Sequence, residues 1–334
     1  MDATRVGACF MVVLLHVSAM NFGTLDDHWW ASNVYDSLTR SCVPVFLMIS
    51  GVLLLGKHEA LSVFFRKRFS RILPPLLFWS LFYMASNAWQ GKDYGAWPEW
   101  VRRLASGPVE FHLWYLYAIV GIYLFVPFLR RIWSASSPGE KKAYLALWVL
   151  ASAWPTVRAA LGIDVDLRHT YDLGSFFGLA GYLFLGAYVH EMSGRRVDRE
   201  WYWWANLALY LFFSVLIMTA TYLYSKQSGS PQTLFYDYLS PLVMASSVCV
   251  FNVLYGLGAR SVPHAGLLRK ISACTLGIYC MHVFVLHQVE SATGLVGTDS
   301  SAWWAIPAMA AVVFAVSLAV VLPLRRLKLF ALVT

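Results

Sequence analysis

Apolar residues gather into ten segments, at residues 6–22, 34–55, 72–89, 111–129, 143–161, 174–190, 202–224, 235–257, 271–289 and 302–324, with short polar connections between them. Most approach the ~20 residues that carry a helix across a hydrocarbon core. The pattern predicts an all-α, polytopic membrane bundle of about ten helices. The first and sixth segments are short, and several contain Gly or Pro, which membrane helices accommodate when neighbours satisfy the freed backbone groups. No internal repeat, inverted pair of interrupted helices or low-complexity linker is visible, and no connection is long enough for a second domain. One transmembrane domain over 1–334 is therefore expected, with any active site built between helices.

Basic residues fix the expected orientation. With the amino terminus inside, the inner connections carry Arg5; Lys57, Arg66, Lys67, Arg68 and Arg71; Arg130, Arg131, Lys141 and Lys142; Arg195, Arg196 and Arg199; Arg260, Arg269 and Lys270; and Arg325, Arg326 and Lys328. The remaining Lys and Arg (Arg40, Lys92, Arg102, Arg103, Arg158, Arg168 and Lys226) spread over outer loops and helix ends. Positive-inside bias then places both termini in the cytoplasm of an inner-membrane protein. The outer segment Asp164, Asp166, Arg168, His169 and Asp172 is of mixed charge. No small-residue cleavage site follows the first segment, which reads as a retained helix with the mature chain starting near Met1.

Composition agrees: 59% of residues are hydrophobic and 13% charged, against about 25% charged in a soluble domain. The net charge of +8 raises the possibility of nucleic acid, but its scatter in short clusters between apolar segments argues against that partner and for lipid. Cys9, Cys42, Cys249, Cys274 and Cys280 lie within apolar segments without a C-x-x-C pair, as reduced packing residues would. No metal site is expected.

An ionisable side chain at membrane depth costs about 3 kcal/mol or more, so such residues mark candidate chemistry. Arg5 and His16 are eleven residues apart, close to three helical turns, and share a face roughly 16 Å apart along the axis. Arg5 then stands at the inner interface and His16 deeper, a separation suited to a long ligand with an anionic head. His16 fits a general base for a hydroxyl; its plain alternative is one interhelical hydrogen bond. Arg40 precedes Pro44, where a kink or freed carbonyl is expected, and its plain role is to snorkel outward. Ser50 and Gly51 permit close helix approach. His112, Trp114, Tyr115 and Tyr117 open the fourth segment from outside, the three aromatics fitting an interfacial belt. Tyr279 and His282 lie one turn apart in the ninth. Arg66, Lys67, Arg68 and Arg71, ahead of Pro74 and Pro75, suit lipid headgroups or the phosphates of a nucleotide-containing donor.

The run from Asp2 through Arg5 to His16, with its Arg, ten residues, His spacing, is followed by Arg40, Val43, Pro44, Phe46, Ile49, Ser50 and Gly51, by Arg71-Ile-Leu-Pro74 and by His112-Leu-Trp-Tyr-Leu116. Tyr123 and Pro127, Leu185 and Gly186, and Leu276-Gly-Ile-Tyr279 with His282 complete a series over nearly the whole chain. In this order they resemble the membrane-bound acyltransferase 3 family, especially its shorter members of the enterobacterial common antigen O-acetyltransferase type. Unlike many members, the chain has a short lead before Arg5 and no appended extracellular domain.

The resemblance implies transfer of an acetyl group from cytoplasmic acetyl-coenzyme A to a hydroxyl of a cell-envelope glycan or lipid-linked saccharide. His16 falls on the position that activates the acceptor and Arg5 on its motif partner. Arg5, Arg40, Arg66, Arg68 and Arg71 are the expected donor contacts; Ser50, His112, Trp114, Tyr117, Tyr279 and His282 are the expected substrate contacts. A covalent acyl-enzyme on Ser50 or a cysteine is the variant mechanism. The competing classes are a proton-coupled transporter or flippase of an envelope precursor, since buried Arg and His serve such carriers equally, and a structural or sensory membrane protein.

Overall fold

A first helix seated inside the bundle, rather than at its edge, sets the architecture. In the computed structural model, which describes residues 1–175, 178–259, 265–294, 302–328 and 330–334, α1 (Asp2–Ser18) packs against five other helices. These are α2 (Asp27–Thr39), α3 (Cys42–Leu54), α11 (Pro241–Ala259), α12 (Ala265–Thr293) and α13 (Ala302–Leu324). Ala8, Cys9, Val12, Val13 and Val17 of α1 are buried accordingly. Between α3 and α11 the chain forms α4 (Leu61–Trp89), α5 (Trp97–Ser106), α6 (Trp114–Ala135) and α7 (Pro138–Leu161). The short α8 (Leu167–Thr170), α9 (Gly181–Ser193) and α10 (Glu200–Ser228) follow. No strand occurs among the described residues. Arg260, counted with the inner-end cations, and 176–177 of the sixth apolar segment lie outside them.

Eight helical stretches among the described residues are long and apolar enough to cross a membrane: Asp2–Asn21, Asp27–Leu54, Phe111–Ala135, Pro138–Leu161, Glu200–Ser228, Leu234–Ala259, Ala265–Thr293 and Ala302–Leu324. The other two expected segments are helices of different character. The basic run before Pro74, expected in a loop, forms the first half of α4, whose apolar half continues through both prolines. Lacking N–H groups, Pro74 and Pro75 leave the carbonyls of Ser70 and Arg71 without their helical donors. α9, the sixth segment, has only 13 residues.

α9 packs closely against α3. A Cβ at Gly51 would lie 1.8 Å from the Leu183 carbonyl oxygen, and one at Gly186 would lie 2.3 Å from that of Met48. Each helix thus places a glycine against the other's backbone, the small-residue contact that lets membrane helices pack tightly.

The second apolar segment divides into α2 and α3 at Arg40–Ser41. Pro44 accounts for the break, because its missing N–H is the one that would have reached the Arg40 carbonyl. α5 was not anticipated; it is a surface helix in the connection between α4 and α6, with Trp97 and Val101 exposed. Polar side chains are tied between helices: Ser272 Oγ donates to Asp2 Oδ1 at 2.7 Å, and Asn252 joins Ser193 and Asn206 at 2.9 and 3.0 Å. All five cysteines are free and buried, as packing residues.

Candidate active site

Three histidines from distant parts of the chain meet beside α1. His16 stacks on His282 of α12 at 5.1 Å between ring centroids, and His112 crosses both rings, 5.1 Å from His282 and 6.4 Å from His16. His112 occupies a single 3-10 turn, Phe111–Leu113, directly before α6, and Phe111 packs edge-on against His16 at 5.0 Å. His112 and His282 are fully buried, whereas His16 is partly exposed. Among the described residues no three His, Cys, Asp or Glu side chains converge as metal ligands would.

Hydrogen bonds define the tautomers of the two buried rings. His282 Nδ1 is 2.6 Å from the Tyr279 carbonyl and His112 Nε2 is 3.3 Å from the Cys280 carbonyl. A carbonyl only accepts, so each of these nitrogens carries the proton. His282 Nε2 and His112 Nδ1 are then bare lone pairs, and neither has a hydrogen-bond partner. None of the described side chains hydrogen-bonds His16, so the interhelical bond of its plain alternative is not made. Two tyrosines hold the framework: Tyr83 donates to the Cys280 carbonyl at 2.9 Å while accepting from Phe284 N at 3.1 Å, and Tyr279 donates to the His112 carbonyl.

A narrow cavity of about 190 Å³ approaches this cluster along α1. Its mouth carries Arg5, Arg68 and Arg71, its wall Ser50 and Val12, and its deep end Tyr115 and Tyr279. His16 stands one turn beyond Val12, and the Tyr279 ring lies 5.9 Å from His112 and 6.0 Å from His282. The three mouth arginines form no ion pair among the described residues. Two neighbouring cations share one carboxylate: Glu59 accepts from Arg130 at 2.9 Å and from Lys67 at 3.2 Å. A second basin of about 570 Å³ shares Arg68 and Arg71 and adds Lys57, Glu59, Lys67 and Ser70. Three guanidinium groups that make no ion pair among the described residues, at the mouth of a mostly apolar channel, suit a ligand with an anionic head and an uncharged arm.

The remaining expected contacts separate. Arg66 is exposed and does not line the cavity. Arg40 lies at the other end of α3, bound to Asp36 at 2.5 Å and stacked over Tyr236 at 4.5 Å, in a different cavity. Tyr117 donates to the Leu104 carbonyl at 2.8 Å and so is turned toward α5. Trp114 stacks on Tyr238 at 5.7 Å. Tyr83, Tyr123 and Lys57 were absent from the expected contacts although they line or brace the site. Tyr123 carried a signal in its place within the recurring sequence blocks; Tyr83 carried none.

A family profile described as "Acyltransferase domain" matches residues 1–322. No curated protein and no solved structure matches the chain.

Proposed function

Because the chain belongs to the acyltransferase family whose profile covers residues 1–322, and is an acyltransferase, we propose that it moves an acetyl group from acetyl-coenzyme A to a hydroxyl of a cell-envelope glycan or lipid-linked saccharide in the bacterial inner membrane. The observation that carries this reading is the channel with three unpaired arginines at its mouth and the histidine cluster beyond its deep end. The nucleotide phosphates are assigned to Arg5, Arg68 and Arg71, with the pantetheine arm running along α1 and the thioester near Tyr115 and Tyr279. With both termini cytoplasmic and ten crossings, this mouth opens to the cytoplasmic donor pool.

In this mechanism His16 takes the proton of the acceptor hydroxyl as its oxygen attacks the thioester carbonyl. Collapse of the tetrahedral intermediate expels the coenzyme A thiolate, which receives that proton from His16. The acetyl ester and the free thiol are the products. His282 and His112, holding bare nitrogens toward the cluster, accept hydrogen bonds from the protonated partner or from water and keep the proton local. The family match favours transfer over the carrier reading, and an acceptor of the common antigen type is part of the proposal.

Equilibrium binding of labelled acetyl-coenzyme A to detergent-purified protein tests the donor assignment. Arg71→Ala is expected to weaken binding about tenfold or more, as loss of a charge-assisted phosphate contact worth about 1.5–3 kcal/mol requires. Arg66→Ala is expected to leave it unchanged. Equal affinity in wild type and Arg71→Ala would place the donor elsewhere.

A further inference from the structure

The end of the bundle opposite the arginine mouth holds a second site. Arg40 marks the start of α3 and Leu54, beside the basic channel, its end; at 1.5 Å per residue they stand roughly 20 Å apart. Around Arg40 a cavity of about 500 Å³ is lined by Ser152 and Thr156 of α7, Arg168, and Tyr236, Asp237 and Tyr238 of the connection before α11. Pro155 and Arg168 continue it into a neighbouring cavity of about 440 Å³ that reaches Arg158, Asp166 and His169. Together they form one trough under the two connections that follow α7 and α10.

Its chemistry is unlike that of the opposite mouth. There, Arg5, Arg68 and Arg71 form no ion pair among the described residues. In the trough Arg40 is matched by Asp36 at 2.5 Å and Arg158 by Asp166 at 2.7 Å, while Arg168 lines it together with Asp237 and Asp172. The balance is near neutral, with hydrogen-bond donors, acceptors and hydroxyls interleaved beside tyrosine rings. An anion would gain little from such a lining, whereas a ligand whose hydroxyl groups both donate and accept, and whose C–H faces rest on aromatic rings, fits it. The trough also adjoins the chemistry: Tyr238 forms its wall and stacks on Trp114, two residues from His112.

We propose that this trough seats the acceptor, and that the acceptor is an uncharged polyhydroxylated saccharide entering from the end opposite the donor. The assignment of the occupant as acceptor rests on the acyltransferase reading. The mixed-charge outer segment at 164–172 gains through Arg168 a part in substrate selection.

Protection of an introduced thiol tests the site without relying on turnover. All five native cysteines are buried, so labelling by a membrane-impermeant cationic methanethiosulfonate reports the new thiol. In sealed vesicles whose outer leaflet displays this end, a thiol at a more accessible position of the same lining, Thr233→Cys, or Leu239→Cys should the first variant fail to fold, is expected to label. Neutral methyl hexosides, supplied as a panel, are expected to slow labelling severalfold for at least one member. Methyl hexuronides and acetyl-coenzyme A are expected to have no effect, and adding Arg168→Ala with Asp237→Asn should remove the protection. Absence of labelling in a folded variant, no protection by any neutral hexoside, or equal protection by uronides would overturn the proposal. Protection by a neutral hexoside in protein that transfers no acetyl group would uphold the saccharide site and overturn the acyltransferase mechanism instead.

Discussion

Arg40 and Asp36 show how one residue pair can govern a region without touching the donor. Asp36 is almost fully buried and its carboxylate meets the Arg40 guanidinium in two contacts, at 2.5 and 2.8 Å. Asp36→Asn leaves a largely buried cation without its counter-charge, an expected loss of about 3–5 kcal/mol in stability, visible as a lowered midpoint in thermal unfolding of the detergent-solubilised protein. Replacing both partners by apolar residues of similar size is expected to cost much less, because no charge remains to be desolvated. An equal loss in single and double variants would contradict this. Sequence located Arg40 on its segment and gave it only a snorkelling role, although its partner Asp36 stands four residues earlier on that same segment. His282 presents the reverse case. Its one-turn spacing from Tyr279 was legible, whereas the tautomer that bares Nε2 follows from a carbonyl distance that only the folded chain supplies.

At the scale of elements, glycine and proline carried the most information. Pro44 predicted a break, and the chain breaks at the residue whose carbonyl it deprives; Gly51 predicted close approach, and α9 is its partner. Gly51→Ala would drive a methyl into the Leu183 carbonyl, and the two helices must separate to admit it. The expected cost is about 1–3 kcal/mol or more, measured as the unfolding free energy or midpoint in detergent. Ala at Gly121, whose Cβ direction is open, should be nearly neutral and serves as the control. The basic half of α4 was less legible, because four cations within six residues read as a loop while nothing between Leu61 and Arg71 forbids helix. That half is tied to the preceding connection by Glu59, whose carboxyl is held below its ordinary range by the hydrogen bond from Arg130, with Lys67 assisting. A depressed carboxyl adds stability that is present above the ordinary carboxylate value and is lost as pH falls through the lower, folded value. Thermal unfolding of wild type and Glu59→Gln should therefore differ at neutral pH and converge in acid. A difference independent of pH would assign the effect to packing.

For the molecule as a whole, hydropathy read the class of fold and most of its helices because lipid forces every backbone polar group to be satisfied within a segment. It could not read which helices touch. That α1 sits among five others, bringing His16 to meet His112 and His282 from 96 and 266 residues away in sequence, is a product of packing between surfaces that are all apolar. The arrangement that results has an arginine-lined channel at one end, a trough of mixed charge at the other and three histidines between them. Sidedness follows: in sealed vesicles, acetyl-coenzyme A supplied only at the amino-terminal face is expected to support transfer, and donor supplied only at the opposite face is not.

The most direct test of this account is transfer of labelled acetyl from acetyl-coenzyme A to an envelope glycan extract by purified wild-type protein and by His16→Ala. The account predicts a fall of about 10²–10⁴ in rate, the usual worth of a general base, with donor affinity and thermal midpoint unchanged. Transfer by His16→Ala at the wild-type rate would contradict it.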